Sequence, residues 1–274
     1  MSDLLLWRWL VPGVRLWLAG LLLCGASTSQ AVELLLYTEE NPPLNFSRDD
    51  SPTGFSTEVV AAMAARTGDS VRIVVAPWTR GYSKAMSEAN TGLFSTARIE
   101  ARENIFQWVG PLTHTLDRFY SHKGAGIRID NLEDAARAGP LALPRQWYTH
   151  EYLRSKGFDN LYTVTSPDRM MQMFSKRRVS LLAANDMQLP GLLERVGMTE
   201  AQLEPQFVFL EHETYLAFSP STDPDVVRRW QVALDSLKRD GTFAEIYQRW
   251  FPGHPVPPRL LEVDQNRKVD QNRK

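Results

Sequence analysis

Two arginines four positions apart, Arg98 and Arg102, lie within the stretch Thr91 to Leu112, TGLFSTARIEARENIFQWVGPL. The stretch reads as a short buried-type strand over Gly92 to Ser95, then a charged turn. An apolar strand follows through Phe106, Trp108 and Val109 and stops at Gly110-Pro111. A guanidinium offers a planar fork of donors to a two-oxygen acceptor, so a pair of them where a strand ends suits capture of a carboxylate or another anion. The same arginines can equally pair with Glu100 and Glu103 on a solvated turn, an arrangement of little energetic weight. The rest of the chain must decide between the two.

With 274 residues the chain has material for one large or two medium domains and for sizeable cores. Lys plus Arg number 31 against 32 for Asp plus Glu, which removes any global field for nucleic acid or acidic membrane. Cys24 is the one cysteine, so neither an internal disulfide nor a cysteine-based metal site is expected. No metal and no cofactor is expected. Residues 1–31 have the order of a secretory signal: Arg8 and Arg15, an apolar run from Leu16 to Ala26, then Ser29-Gln30-Ala31 with small residues where a signal peptidase reads. Arginines at 8 and 15 oppose a permanent span, since each costs roughly 2.5 to 3.5 kcal/mol mid-bilayer. Cleavage is expected after Ala31, giving a soluble exported chain.

The mature chain alternates strands and helices. Glu33 to Thr38 is an apolar strand broken by Asn41-Pro42-Pro43, Phe55 to Thr67 a helix ended by Gly68, and Val71 to Val75 a strand stopped at Pro77-Trp78. Thr79 to Asn90 is helical. A second series follows, with helices at Leu132 to Ala138, Tyr148 to Lys156 and Asp168 to Lys176, the last capped by Ser166. Its strands are Leu141 to Leu143, Leu161 to Val164 and Val179 to Ala183. Leu116 to Ser121, Phe207 to Leu210 and Thr214 to Phe218 read as further strands. The Met170, Met171, Met173 and Phe174 group reads as core. One closing helix starts at Asp223-Pro224. Another opens at a capping box over Thr242 to Glu245. The order predicts parallel sheets covered by helices. The tail repeats VDQNRK twice and is too polar to build a core.

Several landmarks then fall in a recognisable order: Asn41-Pro42-Pro43-Leu44-Asn45-Phe46, Gly54 to Glu58, Pro77-Trp78, Arg102 with Trp108 six residues later, Arg178 to Leu181, and Asp240-Gly241-Thr242 before Ile246-Tyr247. Over about Leu34 to Pro252 the chain resembles the bacterial extracellular solute-binding proteins of family 3, the polar-amino-acid type that serves ABC importers. The resemblance implies an α/β, two-lobed periplasmic-binding-protein-like (type II) fold, each lobe a mostly parallel sheet flanked by helices, joined by two crossover strands. Lobe one is then residues 33–115 plus 213–252, lobe two 116–212, and 253–274 a disordered tail. It implies a small polar ligand, anionic or amino-acid-like, held in the cleft of a periplasmic monomer and passed to a membrane permease.

The resemblance assigns Arg102 to the carboxylate clamp, with Arg98 as a second candidate and Ser95 or Thr96 as hydroxyl donors. Trp78 matches the aromatic wall and Glu39 a carboxylate that reads ligand polarity. Three positions depart from the family pattern. Its aromatic lid falls at Asn41, its Gly-Thr-Thr turn at Gln146-Trp147-Tyr148, and its ammonium-pairing aspartate at Asn185, with Asp186 adjacent. An exported cyclohexadienyl dehydratase is the rival class, with Glu39, Glu40, Glu58, Asp186, Glu213, His114 and His212 as candidate acids. No nucleophile–base motif supports it, and a non-enzymatic protein is expected. A ligand-sensing partner of a membrane receptor is the third.

Overall fold

A computed structural model of the chain describes residues 31–145 and 147–263. The export segment expected over 1–31 lies outside them except for its last residue, as does nearly all of the VDQNRK duplication.

The chain opens as β1 (Glu33–Thr38), α1 (Phe55–Thr67), β4 (Ser70–Val75), α2 (Trp78–Ser87) and β5 (Thr91–Ala97), with a small hairpin, β2 (Phe46–Arg48) and β3 (Ser51–Thr53), between β1 and α1. β1 is flanked by β4 and β5, both parallel to it. α1 ends where Gly68 turns left-handed at φ 75°, and its amide donates to the Ala64 carbonyl. The second series is α3 (Leu132–Arg137), β7 (Leu141–Pro144), α4 (Tyr148–Ser155), β8 (Leu161–Val164), α5 (Pro167–Ser175), β9 (Leu181–Asn185) and α6 (Leu189–Glu194). β7 pairs in parallel with β8 and β9. Two long strands, β6 (Gln107–His122) and β10 (Leu203–Phe218), lie antiparallel between the parallel sets, so one eight-stranded sheet runs β4-β1-β5-β10-β6-β9-β7-β8. The fold is therefore two α/β lobes sharing two crossover strands.

Both crossovers are longer than their sequence suggests. β6 does not stop at Gly110-Pro111 but continues through it. Thr214 pairs with Thr113 and Leu216 with Val109, so Gly110 to Leu112 form a bulge, and Pro111 owes the ladder no N–H there. The displaced Gly110 amide donates to Gln231 Oε1 at 2.9 Å, and Gln231 Nε2 returns a bond to its carbonyl at 3.1 Å. In β10 the polar Glu211-His212-Glu213, read as a break between two strands, stays in the strand because each side chain is partnered. Glu211 holds His114 and Arg259, His212 holds Asp117, and Glu213 accepts from the Tyr215 hydroxyl.

Each lobe has its own core. Leu34, Leu36, Phe55, Val59, Phe94 and Phe218 pack with α7 (Pro224–Arg239) and α8 (Thr242–Trp250) in the first, where Phe55 meets Phe243, Tyr247 and Phe251 edge-on. Leu143, Leu153, Met170, Met171, Phe174 and Leu182 form the second, where the methionine group is core as read. The capping box expected at Thr242 is absent. Gly241 is the N-cap, and the Thr242 hydroxyl, already inside the helix, donates back to Asp240 Oδ1 at 2.7 Å. Within the segment expected to be a disordered tail, α9 (Pro258–Leu261) buries Leu260 against the first core.

Candidate functional site

In a parallel sheet, side chains at the carboxyl ends of the strands are free of the covering helices, and ligands gather there. Glu39 follows β1, Trp78 starts α2 just after β4, and Tyr148 starts α4 just after β7, while Gln188 follows β9. These ends meet in a narrow cleft with a free volume of about 20 Å³. Its first-lobe wall is Glu39, Asn41, Trp78, Ser95 and Ala97, and its second-lobe wall is Trp147, Tyr148 and Gln188. Of the nine sequence-derived candidates, Glu39, Trp78, Ser95 and Tyr148 line it.

Ser95 is placed by a bulge. Thr96 pairs with Tyr215 but Leu93 with Ala217, so β5 carries one extra residue, and Ser95 takes up a left-handed φ of 58°. A non-glycine residue held there costs about 1 to 3 kcal/mol, a kind of strain that clusters at functional sites. Its hydroxyl donates to Asn45 Oδ1 at 2.6 Å, and Asn45 Nδ2 donates to the Glu39 carbonyl at 2.6 Å, which ties the cleft loop to the sheet. Thr96, next along, turns its hydroxyl to the Leu93 carbonyl at 2.8 Å.

Trp78 is only 8 % exposed, and its indole N–H finds no acceptor among the described residues. Behind it lies Arg102, 1 % exposed, whose guanidinium carbon sits 5.2 Å from the Trp78 ring and 5.3 Å from the Tyr82 ring. Arg102 is committed to Glu151 of α4, with Nε at 3.0 Å and Nη2 at 2.9 Å from the same carboxylate oxygen. This pair, buried at the arginine and half-exposed at the glutamate, joins one lobe to the other, and its arginine braces an aromatic wall. Arg98 instead pairs with Glu103 and lies over the Trp108 and Tyr215 rings. The bland alternative for Arg98, pairing with a neighbouring carboxylate on its own turn, is what this structure contains.

The second-lobe wall rests on a buried polar network. The Tyr148 hydroxyl donates to Asp117 Oδ1 at 2.8 Å, and Asp117 Oδ2 lies 2.9 Å from His212 Nδ1. Burial, then the Asp117 charge, push the Tyr148 phenol well above its usual range, so it stays a donor. Asn185 donates to the Tyr148 oxygen at 3.2 Å and accepts the Gln188 amide at 2.8 Å. Asp186 does not line the cleft and accepts the amides of Leu116 and Met187.

Glu39 stands apart. It is partly buried, and among the described residues its carboxylate has one hydrogen bond, from Trp147 Nε1–H of the opposite lobe at 3.4 Å. Desolvation pushes its carboxyl up to about 7, against the lowering effects of that bond and of the Arg102 and Arg195 charges. The other candidate acids are spent elsewhere: Glu40 accepts the Ser47 amide and Glu58 pairs with Arg249. The lobes also touch where Gly191 meets Pro42. A Cβ at 191 would lie 2.9 Å from the Pro42 carbonyl oxygen, so only glycine permits that approach. Glu151 and Asp117 were missed from sequence, since each gains its role from a partner distant in the chain, and so was Gln188, which no motif marks.

Residues 34–253 match the family described as bacterial extracellular solute-binding proteins, family 3. Among solved structures, the chain is similar to a histidine kinase sensor domain with similarity to periplasmic binding proteins, at 19% identity and TM-score 0.74, covering 83% of this chain and 99% of that one. It is also similar to GshT of Streptococcus mutans, described with glutathione import and the cystine ABC importer TcyBC, at 14% identity and TM-score 0.72, covering 83% and 98%. A substrate-binding protein of an ABC uptake transporter from Streptococcus pneumoniae, with bound histidine, is similar at 16% identity and TM-score 0.70, covering 82% and 94%. No protein of curated function matches. At these identities the structural likeness speaks for the fold.

Proposed function

The chain belongs to the bacterial extracellular solute-binding proteins of family 3, and from that premise we propose that it captures a small polar, amino-acid-like solute between its lobes and delivers it to an ABC importer. In this reading the N-terminal segment exports it to the periplasm, and the protein binds its ligand without transforming it. The observation that carries the reading is a cleft with walls from both lobes, in which a buried indole N–H of Trp78 lacks an acceptor among the described residues. A buried donor without a partner costs about 1 to 3 kcal/mol, which a ligand oxygen recovers. A ligand that touches both walls favours the lobes-together arrangement, the differential contact closure requires.

A thermal-shift screen of the chain from Val32 tests this. A ligand at a hundred times its dissociation constant adds about 2.7 kcal/mol, a rise of several degrees. Recovery of the bound compound unchanged is expected. Its conversion to product overturns the non-enzymatic reading in favour of a dehydratase-like one. The likeness to a histidine kinase sensor domain favours a second reading, ligand sensing for a membrane receptor. Loss of solute uptake on deletion supports delivery, whereas loss of a transcriptional response with uptake intact supports sensing.

A further inference from the structure

We infer that cleavage after Ala31 does more than release an export segment: it frees a Val32 α-ammonium that pairs with the buried carboxylate of Asp69 and fastens the first strand. The inference rests on the export reading above and assigns a role to the new N-terminus which that reading creates.

The seat for that ammonium is already built. The Val32 nitrogen, first after the expected cut, donates to Asp69 Oδ1 at 3.0 Å. The Val32 carbonyl accepts the Ser70 amide at 3.0 Å, at the start of the β1–β4 ladder, and the Val32 side chain packs on the first core. Residue 32 is thus held in place, while Ala31 before it is exposed. The Asp69 side chain has no exposed surface, and its Oδ2 accepts the Trp230 indole N–H at 2.8 Å. Burial would raise the Asp69 carboxyl, but the donors around it hold it below its usual value, so it stands there as an anion.

Before the cut the donor is a neutral peptide N–H. Hydrolysis puts the hydroxyl of water on the Ala31 carbonyl carbon and its proton on the Val32 nitrogen. The acid formed ionises, and near neutral pH the nitrogen holds a further proton as an ammonium. Attraction between full charges is then added to a hydrogen bond whose nitrogen the backbone already fixes, without the ordering cost of a long side chain. Arg229 is the rival cation. Its Nη2 lies 3.2 Å from the same Oδ1, yet its side chain is 29 % exposed and can turn to water, as a backbone nitrogen cannot. Other charges on the adjoining elements are paired or exposed: Arg66 holds Asp240 and Arg228 holds Asp225, while Glu33 and Arg72 face solvent.

Among the described residues the cores of both lobes lie between Val32 and Leu260, so a chain from Val32 carries the whole described fold. Two forms test the inference, one beginning at Val32 and one at Ser29, each released from a tag so that no residue is left behind. At pH 7 the Val32 form is expected to melt about 2 to 4 °C higher. A carboxylate raises the value of an ammonium it pairs with. The advantage is therefore full below the ordinary α-amino range of about 8 and fades as pH climbs through the raised value, while the arginines nearby keep their charge. Acetic anhydride at pH 8 should label the Val32 amine about tenfold more slowly than the Ser29 amine, and Asp69→Asn should abolish both differences. N-terminal sequencing of the full chain after export by an expressing bacterium is expected to begin at Val32. A start at Val32 with equal melting and equal labelling of the two forms overturns the inference and leaves the export reading intact. Cleavage at a different bond also overturns the inference alone, and a chain that is never cut overturns both.

Discussion

Replacing Glu39 by glutamine is expected to stabilise the ligand-free protein, and only above a defined pH. The carboxyl titrates at about 7 in the folded chain against an ordinary 4.5, because burial disfavours its charged form. At about 1.4 kcal/mol per pH unit, that displacement amounts to about 3 kcal/mol. Its sign follows from proton uptake. Between pH 4.5 and 7 the folded chain keeps a proton that the unfolded chain has released, so the stability of the native protein falls as pH rises through that window. Glutamine has no proton to lose, yet its side-chain oxygen can still accept from Trp147 Nε1–H. The variant and the parent should therefore be about equally stable near pH 4, and the variant about 3 kcal/mol more stable at pH 8. Urea unfolding at pH 4, 6 and 8, with equal slopes for the two proteins, measures the difference directly. A difference that does not change with pH, or a variant less stable at pH 8, refutes the account of Glu39 as a desolvated carboxylate.

Removing Arg102 as Arg102→Met should cost about 3 kcal/mol, because Glu151 is then left without its charge partner across the cleft; a double-mutant cycle with Glu151→Gln should recover a coupling of about 1 kcal/mol or more. Asp69→Asn should cost about 2 kcal/mol at neutral pH. Burial alone would raise the Asp69 carboxyl, but the Val32 amide, the Trp230 indole N–H and the Arg229 charge hold it below its usual value. That contribution is present above about pH 4 and is lost as pH falls through the lowered value, so parent and variant should converge in acid unfolding. Gly54→Ala should cost about 3 kcal/mol or more by thermal unfolding, since φ is 117° and the new Cβ would lie 2.5 Å from the Leu44 carbonyl oxygen.

What the sequence determined by itself was local. The helix Phe55–Thr67 and the strand Leu161–Val164 lie where apolar periodicity, Gly68 and the flanking turns put them, and Ser166 caps the helix after it by accepting the Arg169 amide. The order of landmarks identified the family and, through it, the two lobes. Near-neighbour preferences and short motifs suffice for such features, because their partners lie within a turn or two of the chain.

Tertiary structure alone decided the rest. It carried β6 through Pro111 by a bulge that Gln231 satisfies, placed the extra residue that re-aims Ser95, and left Thr242 inside a helix it was expected to cap. It gave Arg102 a carboxylate partner 49 positions away and set its guanidinium behind Trp78. It also left Glu39 as the desolvated charge of the cleft. Residue types state which charges a chain has. Which of them cancel, and which remains to meet a ligand, depends on distances and burial that only the assembled lobes define.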